Sequence, residues 1–107
     1  MKLNDVPFET IKNGTKTIEL RLYDEKRRKI KIGDTICFKG KASTIKAIVK
    51  ALHIFRNFDE LYAALPLDKC GYTADELATA SPEDMLEYYT KEQIEKYGVV
   101  GIEIEVI

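Results

Sequence analysis

The sequence has no apolar run that approaches the roughly 20 residues needed to cross a bilayer, and its opening, MKLNDVPFE, has no hydrophobic signal core. These absences predict a cytoplasmic protein with no membrane partner. Only two cysteines are present, Cys37 and Cys70, and neither has a partner at metal-ligand spacing, so we expect reduced thiols and no metal site. The chain also has no phosphate loop, nucleotide fingerprint, or serine or cysteine triad, and therefore no cofactor is implied.

Charged residues are abundant and unevenly distributed. The formal net charge is −1, yet residues 1–56 carry 14 Lys and Arg against 6 Asp and Glu, whereas residues 57–107 carry 3 against 12. A basic half can attract an anionic partner such as nucleic acid even when the whole chain is nearly neutral. The alternative is that the two halves attract each other within the fold. At 107 residues the chain can bury one core but not two, so we expect a single domain over residues 1–107.

Turn signals and apolar periodicity divide the basic half into one helix and several strands. The segment NDVPFETIKNG offers a capping residue at Asn4 or Asp5 and ends at Gly14, which predicts a short helix. The segment TIELRLY alternates apolar and polar side chains and predicts a half-buried strand. A charged turn region, DEKRRKIKIGD, follows. TICF and ASTIKAIVKALHIF, on either side of a turn at Gly40, predict a hairpin whose second strand is long and curved.

The acidic half is predicted to be mostly helical. Four segments begin with a capping residue that an acid or amide follows three positions later: Asn57/Glu60, Thr73/Glu76, Ser81/Asp84 and Thr90/Gln93. The alternating segment VVGIEIEVI then predicts a closing strand. Strands before and after a helical region indicate an α+β domain, and we expect a small mixed β-barrel with flanking short helices.

The stretch GTKTIELR, from Gly14 to Arg21, carries the most informative polar residues. Glu19 and Arg21 lie two residues apart on one strand face, and Lys16 lies at the bend into that strand. Arginine offers a rigid fork of donors and glutamate accepts from exocyclic amines, so together they could hold a planar polar ligand. The alternative is a solvated strand with a surface ion pair worth about 0–1 kcal/mol.

GTKTIELR matches the G-x-K-x-x-E-x-R pattern of the ASCH (activating-signal-cointegrator homology) domain, with Gly14, Lys16, Glu19 and Arg21 in its four positions. FETIKNGTKTIELRL, KIKIGDTICF and YTKEQIEKYGVVGIEI also resemble, in order, the family's opening helix and strand, its strand entry and its closing segment. The resemblance covers most of the chain. It implies a PUA-like β-barrel with a cleft lined by the motif residues, in a family linked to RNA binding, coactivation and RNA processing.

The resemblance also implies an alternative function as an amidohydrolase. A subset of small bacterial members removes acetate from acetylcytidine, using a lysine that matches Lys16 beside a threonine. This chain has Glu19 at the threonine's position, so the nucleophile is not carried over. If the protein is an enzyme, Glu19 could deprotonate a water while Lys16 stabilises the oxyanion. Two nearby cations would instead make the carboxylate a poor base, which favours binding over hydrolysis.

Further candidates flank the motif. Lys26, Arg27 and Arg28 could follow the phosphates of RNA, or they could form a solvated loop. Tyr23, on the face of Glu19 and Arg21, could stack on a base or pack at the barrel rim. His53 is the only histidine, and simple alternation places it on the inward face of the long strand as a core or rim residue.

These observations lead us to expect a domain that binds RNA or a modified nucleoside. The expected binding residues are Gly14, Lys16, Glu19, Arg21, Tyr23, Lys26, Arg27 and Arg28. Hydrolysis of a modified nucleoside is the first alternative. The second is a protein-interaction module in transcription or translation, which would use the acidic helices. A monomer is expected.

Overall fold

The computed structural model describes residues 1–3 and 5–107, so the predicted cap at Asn4 lies outside the described residues, as does the side chain of Asp5. The elements in chain order are α1 (Asp5–Lys12), β1 (Ile18–Leu22), α2 (Glu25–Arg28), β2 (Thr35–Lys39), β3 (Thr44–Phe55), α3 (Phe58–Ala64), a first 3₁₀ helix (Leu67–Cys70), α4 (Ala74–Leu77), a second 3₁₀ helix (Pro82–Glu87), α5 (Lys91–Tyr97) and β4 (Val99–Val106).

The four strands form one curled antiparallel sheet in the order β1-β4-β3-β2. The register pairs Glu19 with Ile102, and β1 is therefore an edge strand beside the central β4. A parallel bridge joins Lys2 to Lys39 beside the opposite edge. This half-barrel with flanking helices confirms the predicted α+β, PUA-like fold class.

Apolar side chains cover both faces of the sheet. One cluster, the first core, joins α1 to the strands through Phe8, Ile11, Ile36, Phe38, Ile45, Ala47, Val49, Val100, Ile102 and Ile104. The other, the second core, joins β1 to the later helices through Ile18, Leu20, Leu22, Phe58, Leu61, Tyr62, Cys70, Met85 and Val99. Neighbouring strand residues face opposite sides, so Glu19 and Arg21 face the side of the first core.

A bulge in β3 changes which side chains face the first core. The register shifts between Val49 and Ala51, and an extra residue in one strand turns the side chains after it to the other face. Leu52 therefore packs against the first core. His53 lies on the opposite face, where its Nε2 is 3.2 Å from Oε1 of Glu103. The predicted inward position of His53 is wrong, because the alternation assumes an unbroken strand.

Helix caps in the acidic half follow the sequence prediction. The side chains of Asn57, Thr73, Ser81 and Thr90 each accept a hydrogen bond from a backbone N–H of the helix that follows. The charged segment predicted as a turn region contains the single helical turn α2, which begins where an oxygen of Asp24 accepts from the N–H of Arg27. Among the described residues, no helix has the length and apolar character to span a membrane.

Candidate functional site

A cleft of about 620 Å³ runs along the edge strand β1. One wall comes from α1, including Val6 and Thr10, and the other comes from residues of the two 3₁₀ helices and the segments beside them. Clefts of this size hold small organic ligands. Because it follows a sheet edge, the cleft has access to backbone groups as well as to side chains.

The free edge of β1 contributes the backbone of Leu20 to the cleft. The carbonyl of Thr17 accepts from Ile104, and the N–H of Tyr23 donates to Gly98, so odd-numbered residues of the strand point their backbone groups at β4. In an antiparallel ladder the alternate residues point the other way. Leu20 lines the cleft, and its N–H and C=O groups are consequently directed away from the sheet.

Lys16, Glu19 and Arg21 form a buried ion cluster on the cleft wall. Nζ of Lys16 lies 2.9 Å from Oε1 of Glu19, and a guanidinium nitrogen of Arg21 lies 3.3 Å from Oε2. The Glu19 side chain is only 5% exposed, against 11% for Lys16 and 18% for Arg21. Two cations share one carboxylate, so the cluster presents a net positive charge and unused N–H donors to the cleft.

The turn before β1 brings Lys16 to this position. The α1 helix ends at Lys12, and the chain turns at Gly14, whose φ of 85° suits glycine. The N–H of Lys16 then donates to the carbonyl of Thr10, which ties the turn back to the helix. Gly14 itself lines a smaller depression of about 280 Å³ and does not line the cleft.

The stem of Lys16 lies against Gly71, just after the first 3₁₀ helix. A side chain at Gly71 would place its Cβ 3.2 Å from Cδ of Lys16, and Gly71 also has a φ of 110°. Glycine is therefore required here both for the backbone conformation and for the room that Lys16 occupies.

A chain of three hydrogen-bonded side chains lines the cleft wall that β1 does not form. The hydroxyl oxygens of Tyr62 and Tyr72 are 2.6 Å apart, and Tyr72 donates to Oδ2 of Asp84 over 2.7 Å. The same oxygen of Asp84 accepts from the N–H of Ser81 in the capping box of the second 3₁₀ helix. Sequence reasoning found Asp84 only as a helix cap and gave no signal for Tyr62 or Tyr72.

Two further tyrosines border the same cleft. Tyr89 is stacked on Phe58 at a centroid distance of 6.2 Å, and burial raises its pKa. Tyr88 is 61% exposed and offers an accessible ring at the cleft. Neither ring is predicted from the sequence as part of the site.

The two oppositely charged halves of the sequence meet at the cleft. Lys16 and Arg21 come from the basic half, whereas the acidic half contributes Glu76, Asp84 and Glu87. The uneven charge thus has a local outcome, a cleft with cations along β1 and carboxylates on the facing elements. A ligand with separate donor and acceptor groups suits this arrangement better than a simple anion.

The remaining predicted binding residues lie outside the cleft lining. Tyr23 packs against the first core, and the Arg28 guanidinium lies 4.4 Å above its ring and also donates to the carbonyl of Tyr97. Arg27 pairs with Asp24 at 3.1 Å.

Lys26 is exposed on the same short helix as these arginines. The charges of Arg21 and Arg27 both oppose the rise in the pKa of Tyr89.

Both cysteines are free thiols. Cys70 is buried in the second core and lines the cleft, and burial raises its pKa to about 11, which makes it a poor nucleophile at neutral pH. Within residues 1–3 and 5–107, no group of three or more His, Cys, Asp or Glu side chains could hold a metal ion.

Comparison with known proteins defines the class. The model of the ASCH domain matches residues 1–107, so the chain belongs to the ASCH domain family. The crystal structure of the hypothetical protein PH0355 is similar, with 35% identity, full coverage of both chains and a TM-score of 0.78. The solution structure of protein PF0455 from Pyrococcus furiosus has 37% identity, coverage of 100% of this chain and 98% of its own, and a TM-score of 0.71. No curated protein matches the chain.

Proposed function

We propose that the protein binds a nucleobase in the cleft along β1, either in a free modified nucleoside or in an RNA strand. The observation that carries this proposal is the buried cluster of Lys16, Glu19 and Arg21, which holds donors and an acceptor in fixed positions on the wall of a nucleoside-sized cleft. The general association of the ASCH family with RNA supports it. We further infer that residues 1–107 act as one cytoplasmic, monomeric domain.

The geometry of Glu19 favours binding over hydrolysis. Its two carboxylate oxygens are engaged separately, Oε1 by Lys16 and Oε2 by Arg21. A general base needs a lone pair that can accept a proton from a water, and here Lys16 and Arg21 each occupy one lone pair of the Glu19 carboxylate. Hydrolysis of an acetylated cytidine-type nucleoside by Glu19 and Lys16 is the alternative, and it requires a water on one of the remaining lone pairs.

The exposed ring of Tyr88 supplies a second element of base recognition. Bases stack on aromatic side chains with a free energy of about 1–3 kcal/mol per base. Tyr88 borders the cleft and is largely exposed, so one face of its ring is accessible to a ligand. An RNA strand could in addition place phosphates along α2, where Lys26 is exposed.

The proposal is tested by incubating the protein with a panel of modified nucleosides and short RNAs and measuring retained ligand and product by mass spectrometry. We expect retained ligand without product. Tyr88→Ala should weaken binding about tenfold or more, whereas Tyr88→Phe keeps the ring and should bind like the native protein.

Product that disappears in Glu19→Gln while binding persists would instead establish the hydrolase. Absence of both ligand and product would favour the protein-interaction module, with the acidic helices as its contact surface.

A further inference from the structure

The hydrogen-bond chain Tyr62–Tyr72–Asp84 has a fixed direction. Tyr72 has a single hydroxyl proton and donates it to the carboxylate of Asp84. The 2.6 Å contact between the two tyrosine oxygens must then be a bond that Tyr62 donates and Tyr72 accepts. With its only proton committed, the hydroxyl of Tyr62 can offer a ligand nothing but a lone pair.

Three observations hold this direction in place. Asp84 is positioned by the capping box, where its Oδ2 also accepts from the N–H of Ser81. Burial and the contacts with Tyr62 and Asp84 raise the pKa of Tyr72, so its hydroxyl stays protonated. In the part of the chain that the structure describes, the Tyr62 hydroxyl has no second hydrogen-bond partner, although Tyr62 borders the cleft.

The residues along β1 have the opposite polarity. Lys16 and Arg21 carry only donors, and both still have N–H groups beyond those given to Glu19 and, from Arg21, to the carbonyl of Lys2. A ligand in the cleft therefore meets donors at β1 and a fixed acceptor at Tyr62. Mismatched groups would leave buried polar atoms unpaired, which is more costly than losing a neutral contact.

We infer that the ligand presents an N–H donor to Tyr62 and a carbonyl oxygen to Lys16 and Arg21. Tyr72 and Asp84 act as positioning residues that determine this specificity through Tyr62. The inference rests on the proposed function and narrows its ligands to bases that carry both an N–H and a carbonyl, as uracil, guanine and cytosine do. Adenine has no carbonyl and is disfavoured.

The test compares ligands that differ by one N–H group. One pair is uridine and 3-methyluridine, and a minimal pair is 2-pyridone and N-methyl-2-pyridone, with affinities taken from amide chemical-shift titrations of the intact protein. We expect the methylated member of each pair to bind about tenfold more weakly, the effect of one lost hydrogen bond.

Variants separate this effect from simple steric exclusion. Tyr62→Phe removes the acceptor and Tyr72→Phe frees the Tyr62 proton, so in both the ratio within each pair should fall toward one. Tyr97→Phe, which changes a tyrosine outside the cleft lining, should keep the native ratio. If the hydrogen-bond chain had only a structural role, Tyr62→Phe and Tyr72→Phe would alter thermal stability without changing the ratio of affinities within each pair.

The outcomes distinguish the donor specificity from the proposed nucleoside binding. If the protein discriminates between the two pyridones but binds neither nucleoside, and if Tyr72→Phe loses this discrimination, the donor specificity is supported and nucleoside binding is overturned. If the ratio of the affinities for uridine and 3-methyluridine is the same in all variants, the proposed function stands and the donor specificity is overturned. If the protein binds neither pair, both claims fail.

Discussion

Nζ of Lys16 donates to Oε1 of Glu19 over 2.9 Å and so links the turn at Gly14 to the edge strand that follows it. The Glu19 side chain is among the most buried polar side chains described, and its second oxygen, Oε2, accepts from Arg21. Sequence alternation alone would leave this strand face in water. In the structure it carries a fixed cluster of charged side chains.

Glu19→Gln should lower the free energy of unfolding by about 3 kcal/mol, because it leaves two partly buried cations facing a neutral amide. Urea unfolding at neutral pH measures the change. Glu103→Gln is the matched control, since the Glu103 carboxylate pairs with His53 but is 43% exposed; we expect a loss of less than about 1 kcal/mol there. Equal losses in the two variants would show that burial of the cluster contributes nothing.

Gly71→Ala and Gly33→Ala should each lower stability by about 1–2 kcal/mol, because both glycines have positive φ, at 110° and 95°. Only the first should also displace Lys16, since a Cβ at Gly33 meets no atom within 4 Å. Chemical shifts of the Lys16 amide and nucleoside affinity measure this second effect. An unchanged Lys16 in Gly71→Ala would mean that the close approach is not a constraint.

Arg28→Ala should lower stability by about 1 kcal/mol, because it removes the cation above Tyr23 and the bond to the Tyr97 carbonyl. Lys26→Ala should leave stability nearly unchanged. If α2 contacts RNA phosphates, the same variant should reduce the slope of log RNA affinity against log salt concentration by about one. An unaltered salt dependence in that variant would remove α2 from the RNA interface.

Stability should fall between pH 9 and pH 11 in part because of Cys70. Burial raises the pKa of this thiol from 9.0 to about 11, so its stabilising contribution is complete below pH 9 and is lost as the pH rises through 11. Cys70→Ala should flatten this decline. The quantity to compare between the variant and the native protein is the slope of stability against pH, not the absolute stability. Some decline should persist, because burial also raises the pKa values of Tyr62 and Tyr89. An identical slope would contradict the assignment.

Local signals in the sequence were sufficient for much of the fold. Alternation in TIELRLY correctly placed Glu19 and Arg21 on the face opposite Ile18 and Leu20. The four capping pairs marked real helix starts because a cap is satisfied within three residues of chain.

Features that depend on distant residues could not be predicted in this way. No glycine or proline marks the bulge between Val49 and Ala51, yet the bulge decides the face of His53. The wall formed by Tyr62, Tyr72 and Asp84 joins an α-helix, a loop and a 3₁₀ helix whose meeting is a property of the tertiary packing.

The position of β4 between β1 and β3 also constrains when the cleft can form. Within the described sheet β1 has a single partner strand, and that strand comes much later in the chain. The backbone of Glu19 is therefore paired only after Ile102 has reached it. Pairings over such long sequence separations close large loops and slow folding. The β2–β3 hairpin has no such delay. We therefore expect the hairpin to gain amide exchange protection early in refolding and the ligand-facing edge to gain it last, which makes a filled cleft a marker of the completed fold.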